Sequence, residues 1–455
     1  FLGRVNYGFA GKYLVTGTVR TDGSSKFAAN NKWALFPSGA VAWRASDEPF
    51  FRERVPAVSE LKLRVSAGQT GSEAISPYQS LAAWSVGSTY ALGLTTYRNG
   101  ATISRNPNPN LRWETTTQYD AGLDLGLFDN RISLTADAYD KITSNLLYNK
   151  AVPYLTGFAN YVTNIGKVQN RGLELELDTR PAVGALQVHV GANVSLNRNK
   201  VLDLGGDQSF SLGGVNSSLP NIRDGAIVQV GQPLGNFFGY VFDGIFQDTA
   251  DVLASPHQDG ARVGGEKFKD LDGNDSVTVD GRDKTILGNA QPRYLFGVTG
   301  SVSYKRLSLS WIVRGALDFQ VVNVNAMGMV TPGGSTNMLA SVLNYWTPDN
   351  PTNTMTGLGI GADNSKLSSR WVEDGSFVRL QNLTLQWEVP ERLSRQLGMR
   401  HLRVYASGHN LYTATRYSWY DPEVSSRGTG DNDLGFDDSN YPGTRTVTLG
   451  VNVGF

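Results

Sequence analysis

Apolar and polar residues take turns along much of this chain, and the alternation is clearest at its end. Val447, Leu449, Val451, Val453 and Phe455 are separated by Thr448, Gly450, Asn452 and Gly454. A period of two puts the first set on one face of an extended strand and the second on the other. Chance alternation of that length at a chosen position has a probability on the order of one in a thousand. The same pattern joins Tyr119, Ala121, Leu123, Leu125 and Leu127, with Asp120, Gly122, Asp124 and Gly126 between them, and it joins Leu173, Leu175 and Leu177 across Glu174, Glu176 and Asp178. A further run sets Leu186, Val188, Val190, Ala192, Val194 and Leu196 against Gln187, His189, Gly191, Asn193, Ser195 and Asn197. In a soluble sandwich the apolar face of such strands meets the core. In a membrane barrel it meets lipid, and the polar face lines the lumen. Alternation by itself leaves both open.

Connection lengths separate the two. Short connections fall at Gly11-Lys12, Asp129-Asn130, Arg180 to Gly184 and Lys305-Arg306, with a medium one from Pro390 to Met399. Between them lie long Gly, Asn, Ser and Pro-rich stretches near 71–111, 148–163, 198–291, 322–373 and 412–443. Short periplasmic turns alternating with long extracellular loops mark an outer-membrane barrel, and compact soluble domains rarely hold several loops of that length. Counting back from a C-terminal strand that ends on the periplasmic side gives about 13 barrel strands. They are expected near 4–10, 13–20, 34–45, 60–70, 113–127, 131–147, 164–179, 185–197, 292–304, 307–321, 374–389, 400–411 and 444–455. Parity leaves the strand-like run Gly235 to Phe246 unmatched, so it is expected inside an extracellular loop. An open sheet of this size leaves backbone groups unpaired, each costing several kcal/mol in hydrocarbon. The sequence is therefore expected to be part of a longer barrel, with further strands and a targeting segment upstream of Phe1.

Composition changes the picture in three ways. The 455 residues hold 41 Lys and Arg against 41 Asp and Glu, so no net field recruits nucleic acid or an anionic surface. No run approaches the roughly 20 apolar residues of a spanning helix, which leaves any crossing of a membrane to strands. Cysteine is absent, which removes disulfides, thiolate metal sites and Cys nucleophiles and suits passage through an oxidising periplasm.

Eight segments in order then carry a family resemblance. They are TGTVRTDGSSKFAANNKWALFPSGAVAWR (16–44), LKLRVSAGQTG (61–71), NPNLRWETTTQYDAGLDLGLFDNRISLTADAYDK (108–141), NIGKVQNRGLELEL (164–177), GNFFGYVFDGIFQ (235–247), RWVEDGSFVRLQNLTL (370–385), LRVYASGHNLYT (402–413) and YPGTRTVTLGVNVGF (441–455). Together they resemble the SusC/RagA-type TonB-dependent outer-membrane transporters of Bacteroidetes-like bacteria. The resemblance implies an all-β transmembrane antiparallel barrel of about 22 strands, closed by an N-terminal plug. Residues 1–455 are then its C-terminal portion, with the plug and about nine strands lying outside them. It also implies energy from the TonB complex, a SusD-like lipoprotein partner and import of a large nutrient, an oligosaccharide, other glycan or peptide. The other expected partners are outer-membrane lipids and the barrel assembly machinery, the latter recognising the terminal face of Val447, Leu449, Val451, Val453 and Phe455.

Few residues suggest chemistry. Asp270, Asp272 and Asn274 open like a calcium loop, where alternate oxygens converge on a hard cation. Asp275 stands where Gly is expected and Gly281 where Glu closes the shell, so Asp280 or Asp283 is the expected closing ligand. The alternative is an acidic, solvated loop built of Asx turns. Gly357-Leu-Gly359-Ile-Gly361-Ala362 matches a dinucleotide fingerprint in letters but lacks the flanking strand and helix. His189, His257, His401 and His409 show no metal-ligand spacing, and His189 is expected to make a lumen-side hydrogen bond. No nucleophile elbow stands out, so the chain is not read as an enzyme, and no cofactor is expected beyond a calcium ion at 270–283. The aromatic groups Tyr417, Trp419, Tyr420 and Tyr345, Trp346, Trp371 fit either an interfacial girdle or stacking on sugar rings. Trp419 and Tyr420, with Arg416 and Asp421 as hydrogen-bonding neighbours, are the expected contacts to cargo or lid. The competing function is a soluble β-rich adhesin or binding module, in which the apolar strand faces pack sheet to sheet.

Overall fold

The computed structural model describes residues 1–92, 96–158, 160–211, 222, 225–277, 281–330, 337–359, 366–424 and 434–455. It divides into two compact units, residues 1–175 with 198–208, and residues 176–197 with 209–455. Thirteen long strands carry the fold: β1 (Leu2–Phe9), β2 (Tyr13–Gly23), β3 (Trp33–Arg44), β4 (Val58–Ser72), β5 (Glu114–Leu127), β6 (Ile132–Ser144), β7 (Lys167–Thr179), β8 (Leu186–Asp203), β9 (Tyr294–Tyr304), β10 (Leu307–Leu317), β11 (Phe377–Glu388), β12 (His401–Thr415) and β13 (Thr446–Gly454). Each coincides with a strand expected from the alternation. In the first unit β1 to β6 follow one another as antiparallel neighbours. In the second, β8 to β13 do the same.

Register comes from the tight turns. Ala10 and Gly11, at φ 53 and 70, turn β1 into β2, the left-handed backbone that a short hairpin turn needs. The turn after β5 places Phe128, Asp129 and Asn130 at φ 55, 57 and 58. Asp and Asn tolerate that region and Phe does not. Its backbone is held by the Phe128 N–H donating to the Ala57 carbonyl at 2.9 Å and the Asn130 N–H donating to Ser59 Oγ at 3.2 Å. The connection from β3 to β4 is more elaborate than the sequence suggests. It contains a short helix, Pro49–Arg54, preceded by Glu48, which accepts hydrogen bonds from Tyr13 Oη at 2.7 Å, Lys12 Nζ at 2.9 Å and Trp43 Nε1 at 3.3 Å. The tyrosine hydroxyl first, and then the lysine, hold the Glu48 carboxyl below its ordinary range.

The strands carry their apolar side chains outward. Val65 and Tyr119 are 62% and 58% exposed, and in the second unit Val447, Leu449 and Val451 are 73%, 80% and 61% exposed. The opposite face is polar and internally paired. In the first unit Arg64 donates twice to Asp124, both at 2.9 Å, and once to Asp137 at 3.1 Å, with Lys62 Nζ 3.3 Å from Asp124. In the second unit His189 Nε2 lies 2.5 Å from Asp178 Oδ2, the polar-face bond expected of it. This is the polarity of a lipid-facing barrel wall and the reverse of a soluble sandwich. No helix among the described residues is long and apolar enough to cross a membrane.

The apolar interior lies in the loops and at the strand ends they cover. Phe27, Phe36, Leu111 and Trp113 form a buried cluster in the first unit. In the second unit Phe237, Phe246, Phe268, Val322 and Met327 are buried, all from stretches between barrel strands. Expected from composition as irregular, these loops hold small sheets of their own. Within Gly235 to Phe246, Asn236–Tyr240 pairs with Ala226–Gln229 and Lys284–Asn289, and Phe242–Ile245 pairs with Glu266–Phe268. That run is outside the barrel series, as parity requires.

Candidate functional site

At the long-loop end of β10 to β12, residues 416–424 form a strap seated on the strands. Tyr417 anchors it: its ring is buried against Phe319, Val321 and Phe377, and its hydroxyl donates to Asp437 Oδ2 at 2.6 Å. Burial, and then the Asp437 carboxylate, push the phenol well above its ordinary pKa. Ser418 follows, its N–H and hydroxyl donating to the two oxygens of Glu373 at 2.7 and 2.8 Å. Next come Trp419, packed against the same cluster, and Tyr420, exposed and set edge-on to Trp419 with ring centroids 5.1 Å apart. Asp421 accepts from Arg379 Nη2 at 2.6 Å. Glu423 accepts from Arg379 Nη1 at 2.9 Å and from both terminal nitrogens of Arg314.

Of the four residues expected to touch cargo or lid, Tyr420 and Arg416 are exposed, Trp419 is half-buried and Asp421 is engaged by Arg379. Tyr417 and Trp371 belong to neither an interfacial girdle nor a sugar platform. Both are buried in the loop core, because a long loop can close only by burying its own rings. Trp346 is half-buried, its Nε1–H donating to Gln247 Oε1 at 3.0 Å. Sequence reasoning missed Arg314, Arg379 and Glu423. Their one visible signal is an arginine on the polar face near the end of each of two neighbouring strands.

The acidic loop brings three of its candidates together. Carboxylate oxygens of Asp270, Asp272 and Asp283 lie within 4.8 Å of one another. Asp283, fully buried, accepts the Leu271 N–H at 3.0 Å. Asp270 accepts the N–H groups of Gly273 at 2.7 Å and Asp275 at 2.8 Å. Burial alone would raise its pKa, but these backbone donors outweigh that and leave it lowered. Asn274 turns its amide to Asp272 Oδ2 at 2.9 Å, and Asp280 lies outside the described residues. Of the glycine-rich run, Ile360 to Ala362 also lie outside them.

On the terminal strand the expected apolar face is present. Val447, Leu449, Val451 and Phe455 are exposed and Val453 is half-exposed. Val453, Val451 and Leu449 pair with Leu402, Val404 and Ala406 of β12, so the apolar surface continues across both strands.

Residues 2–411 match the family described as TonB dependent receptor-like, beta-barrel. The chain belongs to that TonB-dependent receptor β-barrel family. TonB-dependent receptor P3 of Formosa agariphila is 36% identical over all of this chain and 45% of its own length. TonB-dependent receptor SusC of Bacteroides thetaiotaomicron is 30% identical over all of this chain and 43% of its own length. The chain thus spans less than half of these relatives. The solved RagAB peptide transporter superposes with a TM-score of 0.83 at 27% identity, covering all of this chain and 47% of that one. As a member of the TonB-dependent receptor β-barrel family, the chain has an all-β transmembrane barrel fold and an outer-membrane location. The family is one of receptors and transporters and not of enzymes.

Proposed function

We propose that the protein works within a TonB-dependent importer that takes a large nutrient, a glycan or a peptide, across the outer membrane together with a SusD-like surface lipoprotein. The observation that carries this reading is the inverted polarity of the molecule. In each unit apolar side chains line one face of the strands, paired polar groups line the other, and folded loops connect them. A wall of that kind separates lipid from a polar path, and ordered loops supply recognition. Similarity to TonB-dependent receptors supports energised transport, and the likeness to the RagAB peptide transporter supports peptide as one cargo class. The exposed Tyr420, with the half-buried Trp419 beside it and Arg416, is the proposed contact to cargo or lipoprotein. Asp270, Asp272 and Asp283 are proposed to hold a calcium ion that stiffens their loop. A buried carboxylate beside two others is costly unless a cation or donors offset it.

The test is uptake by intact cells. A strain lacking the gene should lose accumulation of a labelled glycan or peptide from the mixture it normally consumes, and collapse of the proton-motive force should have the same effect. Unchanged uptake in both cases would refute energised import through this protein. Co-purification of a surface lipoprotein with the native complex tests the partner separately.

A further inference from the structure

Arg314 and Arg379 are direct cross-strand partners on β10 and β11. Their register places them with Ala316 and Phe377, on the face opposite Val313, Val378 and Leu380, and so on the polar side of the wall. Like charges directly opposite each other destabilise a sheet, so this pair demands a counter-charge. The strands also fix its aim. Both guanidinium groups lie over the buried ring of Phe377, at 5.8 and 5.1 Å from its centroid, and Arg379 Nε donates to Thr413 Oγ1 at 2.9 Å.

The counter-charge comes from the strap. Asp421 and Glu423 reach down to Arg379 at 2.6 and 2.9 Å, and Glu423 also meets Arg314 with both of its oxygens. The arrangement is asymmetric: the Arg379 side chain is 6% exposed, whereas that of Glu423 is 37% exposed. Arg379 is the buried anchor, Asp421 lies over it at 16% exposure, and the Arg314–Glu423 pair, at 35% and 37%, forms the solvent-facing side. Arg314 Nε is buried with no acceptor, so the arginine pair holds a donor that the strap leaves unused. Asp421 owes its seat to Gly443, where an added Cβ would meet Oδ2 at 2.8 Å.

We propose that Arg314 and Arg379 form a subsite for a carboxylate group of the cargo, and that Asp421 and Glu423 are its resident stand-ins, displaced when anionic cargo arrives. Paired, planar guanidinium groups suit two-pronged recognition of a carboxylate. This inference rests on the import reading and narrows its cargo to molecules bearing carboxylates, whether acidic peptides or uronic-acid glycans. A tethered competitor acts at an effective concentration of roughly millimolar. Free carboxylates should therefore bind the native protein weakly and bind it tightly once the strap is neutralised.

The experiment uses purified, detergent-solubilised full-length transporter and calorimetric titration with triglutamate and trigalacturonate, against the neutral controls triglutamine and trigalactose. Asp421→Asn with Glu423→Gln should raise affinity for an acidic probe by about tenfold or more, and the acidic probe that gains most identifies the source. Neutral probes should be unaffected, and adding Arg379→Gln should abolish the gain. If that variant does not give the heat-resistant migration of a folded barrel, Arg314→Lys replaces it. It keeps the charge, loses the paired geometry and should lose most of the gain. Equal binding of acidic and neutral probes, or no gain on neutralising the strap, overturns the subsite. Continued uptake of neutral cargo by cells carrying the neutralised strap would then show that the import reading survives without it.

Discussion

The Tyr417 hydroxyl donates to Asp437 across 2.6 Å at a point where the two residues are only 5% and 1% exposed. This bond ties the strap to the segment that leads into the last strand. Removing the donor leaves a buried carboxylate short of a partner, a loss of about 1–3 kcal/mol. Tyr417→Phe should therefore speed hydrogen exchange in residues 416–424 and 434–440 while the strands keep their protection. Exchange unchanged in the strap would show that Tyr417 is held by ring packing alone. The bond also sets an alkaline limit. The folded phenol is pushed above the ordinary tyrosine range, so its stabilisation is complete below pH ~10, where folded and unfolded tyrosines both keep the proton. It declines above that, because only the unfolded tyrosine can then release it. Strap protection, taken relative to the intrinsic base-catalysed exchange rate, should fall from about pH 10 upward in the native protein and lack that fall in the Phe variant.

Leu123 lies in register between Leu63 and Ala136 on the apolar face of the first unit, whereas Thr135 pairs with Asp124 on the polar face. A cation on the lipid face near the midplane costs about 2–4 kcal/mol, falling toward zero at the interfaces. Leu123→Arg should lower the folded fraction in urea titrations in lipid vesicles, and Thr135→Lys, beside a carboxylate, should leave it nearly unchanged. Equal effects from the two would mean that the alternation does not separate lipid from lumen.

Asp283 is fully buried beside Asp270 and Asp272. If a calcium ion sits among them, saturation at about 100 times its dissociation constant stabilises the loop by ~2.7 kcal/mol. Calcium should then protect residues 266–284 from protease, a chelator should reverse the protection, and Asp283→Asn should abolish it. The protection should fade as pH falls below the ordinary carboxylate range near 4, since a ligand must be deprotonated and Asp270 is held low. Protection that is indifferent to calcium would leave a loop of Asx turns.

The strands were readable because lipid makes an unyielding demand at every second residue, as at Leu449, Val451 and Val453, and because tight turns leave no slack in register. The loop core was not. Phe237 and Phe436 meet edge to face with centroids 5.1 Å apart, yet they come from distant stretches with no common period. The strap's ion pairs were equally hidden: Arg379 finds Asp421 across 42 positions, and Arg314 finds Glu423 across 109. Local pattern reports what the solvent requires of a strand, whereas these contacts depend on where the strands deliver their loops. Asp270 and Asp272 showed because ligand spacing is local. Which later carboxylate joins them depends on the turn between: the fold brings Asp283 beside them, and Asp280 lies outside the described residues.

Glu266 and Arg370 form the ion pair with the deepest burial among the described residues, their side chains 0% and 11% exposed at 2.6 Å. Arg370 also lies 4.5 Å from the Trp371 ring centroid and 5.4 Å from that of Phe242, and it donates to the Thr354 carbonyl. The pair therefore joins the loop that follows β8 to the loop that follows β10. Removing one partner of a buried pair strands the other charge and typically costs about 3–5 kcal/mol, whereas replacing both with apolar groups of similar volume is often neutral. Glu266→Gln should open residues 264–277 and 352–371 to exchange together, and Glu266→Leu combined with Arg370→Met should restore most of the protection. If the single change loosened only its own loop, the two would be held together by the rings around Arg370 and not by its charge.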